Sequence, residues 1–224
     1  MIILCLGNSL TAGFPGFSPA IDGISQGYGN ERSQYEYWLK KNCLLYLKKI
    51  NLDCKGLHSN PFQFINKGIP GELTSDLLQR ISQDLVQRNP IPSHSIIIGG
   101  TNDLGWGINI KKIHDNIAKL HEISNEHGIS SIGATIPPIR AEKASKSYKQ
   151  KKILFNNLLK SYFKENSIAC VDLYSGMSDE HGNLRKEYAY IDGLHFSVEG
   201  YKKMGELIFE KAIKNIINVD IMKI

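Results

Sequence analysis

Four short segments of this sequence hold side chains able to do more than shape a turn. Gly7-Asn8-Ser9-Leu10-Thr11 follows an apolar run, so Ser9 can present its hydroxyl and its own backbone N–H at a strand exit. Asn66-Lys67-Gly68-Ile69-Pro70-Gly71-Glu72-Leu73-Thr74 puts Gly71 just before a helix that Thr74 or Ser75 can cap, with no side chain covering the Gly71 N–H. Gly100-Thr101-Asn102-Asp103 sets small polar groups after two glycines, and the Asn102 amide can donate into a cleft. In Tyr190-Ile191-Asp192-Gly193-Leu194-His195-Phe196-Ser197, a D-x-x-H spacing over a turn can bring the Asp192 carboxylate onto Nδ1 of His195, leaving Nε2 free to act as a base. Taken singly, each also reads as ordinary turn chemistry. Together they supply a nucleophile, oxyanion donors, a base and an orienting carboxylate, which is the set acyl transfer needs. His58, His94, His114, His121, His127 and His181 lack such a setting and read as surface or helix-face residues.

Strand ends must bring these segments together. Apolar runs without alternation at 2–6, 95–99, 131–136 and 168–173, with weaker ones near 53–57 and 62–66, read as strands covered on both faces. Helical spacing appears in 110–127 (Ile110, Ile113, Ile117, Leu120), 147–165 (Phe155, Leu158, Leu159, Tyr162) and 197–217 (Val198, Tyr201, Met204, Ile208, Ala212, Ile216). Less regular helices are expected over 33–50 and 74–88. The alternation predicts an α/β doubly wound sheet of about five strands. Ligands bind beyond the carboxyl ends of the strands in such sheets, where the four segments fall. The stretch 12–32, rich in Gly, Pro, Ser and aromatics, reads as a long working loop.

The chain has 224 residues, 42% hydrophobic and 22% charged, which suits a single globular domain over 1–224 and excludes whole-chain disorder. Its net charge is +5, but 22 of its 27 basic residues are Lys, many in pairs (Lys40-Lys41, Lys48-Lys49, Lys111-Lys112, Lys151-Lys152, Lys202-Lys203) expected on solvated helix faces. Nucleic acid is therefore not the expected partner. Cys5, Cys43, Cys54 and Cys170 form no C-x-x-C pair, and Cys5 and Cys170 lie in runs that read as buried. With no basic leader and no apolar run of spanning length, the expectation is a cytoplasmic protein without membrane insertion.

The four segments, in this order over residues 1–200, resemble the blocks of the SGNH, or GDSL, hydrolases, a family of esterases, lipases and thioesterases. The resemblance extends to Gly200-Tyr201 after the D-x-x-H block. It implies a three-layer α/β/α sandwich with a five-stranded parallel sheet of flavodoxin-like order. It also implies Ser9 as nucleophile, His195 as general base, Asp192 as its orienter, and an oxyanion hole made by the Ser9 and Gly71 N–H groups and the Asn102 amide. The substrate would be a small-molecule carboxylic or thio ester, with neither cofactor nor metal. One position departs: the family usually has Asp before the nucleophile, and here it is Asn8. Activity is expected to survive this change, with altered hydrogen bonding in the loop. Other chemistries lack their signatures. There is no G-x-S-x-G elbow midway along the chain, no H-E-x-x-H, no Walker motif and no G-x-G-x-x-G opening a helix. The alternative from another class is a non-catalytic acyl- or carbohydrate-binding module on the same fold, and Asn8 is its one hint.

Overall fold

The computed structural model describes residues 1–20, 27–50, 61–140 and 146–221. Strand β1 (Ile2–Gly7) is an interior strand of a five-stranded sheet. A short helix, α1 (Ser9–Ala12), follows it at once. A two-stranded antiparallel ribbon, β2 (Phe17–Ser18) with β3 (Tyr28–Gly29), then precedes helix α2 (Tyr35–Lys49). The chain continues through β4 (Gln63–Gly68), α3 (Thr74–Ile81), β5 (His94–Ile98), α4 (Thr101–Gly105), α5 (Ile110–Glu126), β6 (Ser130–Ala134), α6 (Lys146–Glu165), β7 (Ala169–Val171), α7 (Leu173–Met177), α8 (Val198–Ile208) and α9 (Lys214–Ile221).

The sheet order is β4-β1-β5-β6-β7 and every pairing is parallel. Alternate residues of β1 enter opposite layers. Ile3 and Cys5 pack with Tyr35, Leu39 and Cys43 of α2 and Tyr201, Met204 and Ile208 of α8. Leu4 and Leu6 pack with Leu77 and Ile81 of α3 and Leu120 of α5. Farther along that second face, Ile113 and Ile117 of α5 meet Phe155, Leu159 and Phe163 of α6. A strand buried on both faces is apolar at consecutive positions, which is why β1 reads as an unbroken run. The result is the expected three-layer α/β/α fold. The strand order reverses direction at β1 and β5, so a crevice opens between their carboxyl ends.

Several expectations change in detail. The stretch 12–32 holds the end of α1 and the ribbon, although residues 21–26 lie outside the described part. The weak strand near 53–57, together with Cys54 and His58, also lies outside it. The helix expected over 197–217 is α8 and α9 joined through a widened π turn at Phe209–Ile213, and a similar turn at Ser82–Val86 continues α3. Leu158 is 40% exposed, because α6 rests on α5 through Phe155, Leu159 and Phe163 instead. Cys170 sits half-buried in β7, the edge strand, whereas Cys5 and Cys43 are fully buried. Two polar residues expected at the surface are inside. His121 is fully buried on the inner face of α5, and Lys152 is 2% exposed, its Nζ donating to the Pro137 carbonyl at 2.9 Å. Burial pulls the Lys152 amine down to about 7.

Candidate active site

The β1 exit has almost no free space. A Cβ on Gly7 would lie 2.2 Å from Thr11 Oγ1 and 2.6 Å from the Ile98 carbonyl, so only glycine lets β1 turn directly into α1. Asn8 then caps α1, its Oδ1 accepting from Leu10 N at 3.1 Å. That bond uses the N–H after Ser9. The N–H of Ser9 itself has no acceptor among the described residues and heads the helix. Ser9 is nearly buried, 7% exposed, at the mouth of the β1/β5 crevice.

The far end of the chain reaches the same place. The carboxylate of Asp192 accepts from the backbone N–H groups of Leu194 and His195, both at 2.9 Å, which folds the turn into a fixed shape. Its other oxygen lies 2.6 Å from Nδ1 of His195. Nε2 of His195 lies 3.0 Å from Ser9 Oγ. Partial burial raises the Asp192 carboxyl, but the bonds from the His195 ring and the two backbone N–H groups hold it below its ordinary value. Phe14 stands edge-on to the imidazole with ring centroids 4.8 Å apart, and the buried Tyr201 hydroxyl secures Phe14 by donating to its carbonyl at 2.7 Å.

The third group of donors comes from the ends of β4 and β5. Gly71 takes a φ of +87°, a left-handed conformation that glycine adopts without strain, and a Cβ there would meet open space. Its N–H has no acceptor among the described residues. The Asn102 amide donates to the Glu72 carbonyl at 2.8 Å. A carbonyl can only accept, so Nδ2 is the atom on that side, and its second hydrogen is left for another acceptor. The structure thus brings Ser9, Asp192, His195, Gly71 and Asn102 onto one rim, and its Ser–His–Asp contacts can pass a proton from a hydroxyl to an imidazole backed by a carboxylate. Neither Thr74 nor Ser75 caps α3 as expected. Leu73 holds the cap position and donates its N–H to Asp76 Oδ2 at 2.8 Å. Trp106 is 79% exposed beyond α4, while Pro137 and Pro138 are buried and belong to the packing.

Two residues of the site segments support this rim in roles that the sequence reading did not assign. Asp103, 1% exposed, accepts from Thr74 N at 3.1 Å and from Thr74 Oγ1 at 2.6 Å, and that hydroxyl accepts from Asn116 Nδ2 at 2.9 Å. This chain locks α3, α4 and α5 together behind Gly71 and Asn102. The adjacency of Asp103 to Asn102 was its only signal. Asn66 similarly ties β4 to α1, donating to the Thr11 carbonyl at 2.9 Å.

Among the described residues, no group of three or more His, Cys, Asp or Glu side chains is placed to hold a metal ion, and no helix is long and apolar enough to cross a membrane. No curated protein matches the chain. Solved structures do. A GDSL-like lipase from Bacteroides thetaiotaomicron is 25% identical with a TM-score of 0.66, over 96% of this chain and 88% of the other. A psychrotrophic esterase from Pseudoalteromonas sp., solved inhibited by monoethylphosphonate, shares the fold at 18% identity with a TM-score of 0.69, over 97% and 98%. An acetyl xylan esterase from Geobacillus stearothermophilus does so at 17% and 0.67, over 94% and 93%. The model of the GDSL-like lipase/acylhydrolase family matches residues 5–203, a span that contains all five residues of the rim, and the chain belongs to that family.

Proposed function

We propose that the protein is a serine esterase that hydrolyses a small-molecule carboxylic or thio ester through an acyl-enzyme. The contact that carries this reading is Ser9 Oγ to His195 Nε2 at 3.0 Å, with Asp192 behind the ring at 2.6 Å. In the first step Ser9 Oγ attacks the ester carbonyl while Nε2 of His195 takes its proton. The oxyanion that forms is met by the N–H groups of Ser9 and Gly71 and the free amide hydrogen of Asn102. Collapse of this intermediate expels the alcohol or thiol, which takes the proton from the imidazolium. Water, deprotonated by the same imidazole, then releases the acid. Asp192 holds the ring with its N–H on Nδ1 and stabilises the positive charge His195 carries midway.

The Asn8 side chain supports the reading. It takes no part in the chemistry, and its Oδ1 fills the cap position as a carboxylate oxygen would. A binding module would have no need of a serine hydroxyl, an imidazole and a carboxylate held in series. The test is Ser9→Ala assayed on p-nitrophenyl acetate. We expect a loss of kcat of about 10³-fold or more, and covalent labelling of the wild-type protein at Ser9 by a fluorophosphonate. Near-normal turnover by the variant, or no labelling of the wild type, refutes the proposal.

A further inference from the structure

We propose that Arg80 is a positioning residue for the oxyanion hole. The inference rests on the esterase reading of Ser9, Gly71 and Asn102 given above. Arg80 lies in the last turn of α3 and its side chain is 14% exposed. Its guanidinium bridges the ends of β1 and β4, the strands that lead to Ser9 and Gly71. Nη2 donates to the carbonyls of Gly7 at 3.2 Å and Lys67 at 2.9 Å, at the ends of β1 and β4. Nε donates to Glu72 Oε1 at 2.8 Å, and Nη2 also meets Glu72 Oε2 at 2.5 Å. Nη1 is held by Asp84, which Lys67 Nζ also contacts at 3.0 Å.

The positions of these partners matter more than their charges. Gly7 lies two residues before Ser9, and its carbonyl also accepts from Ile69 N at 3.0 Å. Lys67 and Glu72 bracket the loop that carries Gly71, so one guanidinium grips that loop at both ends. Glu72 is also the residue whose backbone carbonyl holds the Asn102 amide. One planar group therefore fixes the relative placement of all three oxyanion donors while touching none of them. The task needs a rigid fork with donors in several directions at set angles. A lysine ammonium has the charge but not the geometry. An oxyanion hole works only when its donors already stand where the charge will develop, so small displacements weaken it without emptying it.

The experiment measures kcat and KM on p-nitrophenyl acetate for the wild type, Arg80→Lys, Arg80→Gln and Glu72→Gln, each divided by the sites that a fluorophosphonate labels at completion. Removing a whole oxyanion donor costs about 10²–10³ in kcat, so a displaced set should cost about 10–100-fold. We expect that loss in Arg80→Gln, nearly as much in Arg80→Lys, and about tenfold in Glu72→Gln. KM should stay within about twofold and the acid limb of the pH profile should not move, because the imidazole is untouched. Added guanidinium ion, but not sodium at equal ionic strength, should restore part of the rate in Arg80→Ala. A guanidinium that only braced the fold would lower the number of labelled sites and leave the rate per site unchanged, and that result overturns the proposal. If Arg80→Gln fails to accumulate, a wild-type rate per site in Glu72→Gln overturns it equally. Active wild type with inactive Ser9→Ala, but normal Arg80 and Glu72 variants, defeats the positioning role alone. A wild type that never turns over defeats the esterase reading and this inference together.

Discussion

Two of the serine–histidine pairs among the described residues, of nearly equal length, sit in opposite surroundings. His195 meets Ser9 at 3.0 Å through Nε2, and His121 meets Ser131 at 2.8 Å through Nδ1. They differ at the second ring nitrogen. Nδ1 of His195 faces the Asp192 carboxylate, whereas Nε2 of His121 is buried without a partner among the described residues. His121 is also wedged against Phe163, ring centroids 5.1 Å apart, with no exposure to water. A catalytic base must carry a proton during turnover. Burial alone drives His121 down to about 3, so that ring stays neutral and inert. A hydroxyl beside an imidazole is thus not enough. The carboxylate behind the ring and an opening toward substrate make one pair a candidate for chemistry and leave the other as packing.

Removing the carboxylate charge should make the first pair behave like the second. In Asp192→Asn the amide can no longer stabilise an imidazolium and can favour the wrong tautomer. We expect kcat on p-nitrophenyl acetate to fall about 10³- to 10⁴-fold, toward the lower figure because Asp192 is 40% exposed and water can partly replace it. A fall of less than tenfold would erase the distinction between the two pairs.

The buried pair should instead register in stability against pH. His121 has a folded-state proton affinity well below its ordinary value of 6.5. Between pH 6.5 and about 3 the unfolded chain binds a proton that the folded protein refuses. Its contribution is therefore fully present above 6.5 and is lost as the pH falls through that window, an effect on the order of a few kcal/mol. Urea midpoints for the wild type and His121→Phe at pH 7, 5 and 4 check this. The variant should lose less stability on acidification, and equal slopes would contradict it. Ser131→Ala should cost about 1–3 kcal/mol at pH 7, because it strips a buried ring nitrogen of its partner. It should leave kcat within about twofold, a contrast with Ser9→Ala that an activity assay and a melting curve read directly.

These two pairs also mark what the amino-acid order reveals. Most of the rim was legible because Ser9, Gly71 and Asn102 fall just after apolar runs and glycines, where local spacing alone puts them at strand ends. The D-x-x-H spacing marked the Asp192–His195 turn, which follows no strand of the sheet and instead lies in the loop before α8. The buried polar groups were not. His121 and Ser131 lie ten positions apart on α5 and β6, and only the packing of that helix on the sheet joins them. Lys152 belongs to a lysine pair that looks solvated, yet the register of α6 turns it inward beside Tyr148, its Nζ 4.9 Å from the ring. Glu36 sits in the first turn of α2, where an acidic residue suits the helix dipole, and nothing nearby in the chain shows that it is 4% exposed with burial raising its carboxyl to about 8. Arg80 and Asp103 gain their roles only when three helices close behind the strand ends. Motifs carry chemistry along the chain, whereas support for it is arranged across the fold.

The smallest effect concerns the one residue that departs from the family pattern. Asn8 contributes a single acceptor, Oδ1 to Leu10 N, to a helix of only four residues that begins with Ser9. Asn8→Ala removes that acceptor and should cost about 1 kcal/mol of stability. Because so short a helix has little else to hold its first turn, part of the cost should appear as a several-fold fall in kcat through a less well fixed Ser9. Asn8→Asp keeps an oxygen in the same place and should hold both stability and kcat near the wild type. If the aspartate variant falls as far as the alanine one, the cap is not what Asn8 provides, and the charge next to Ser9 matters more than the oxygen that accepts from Leu10.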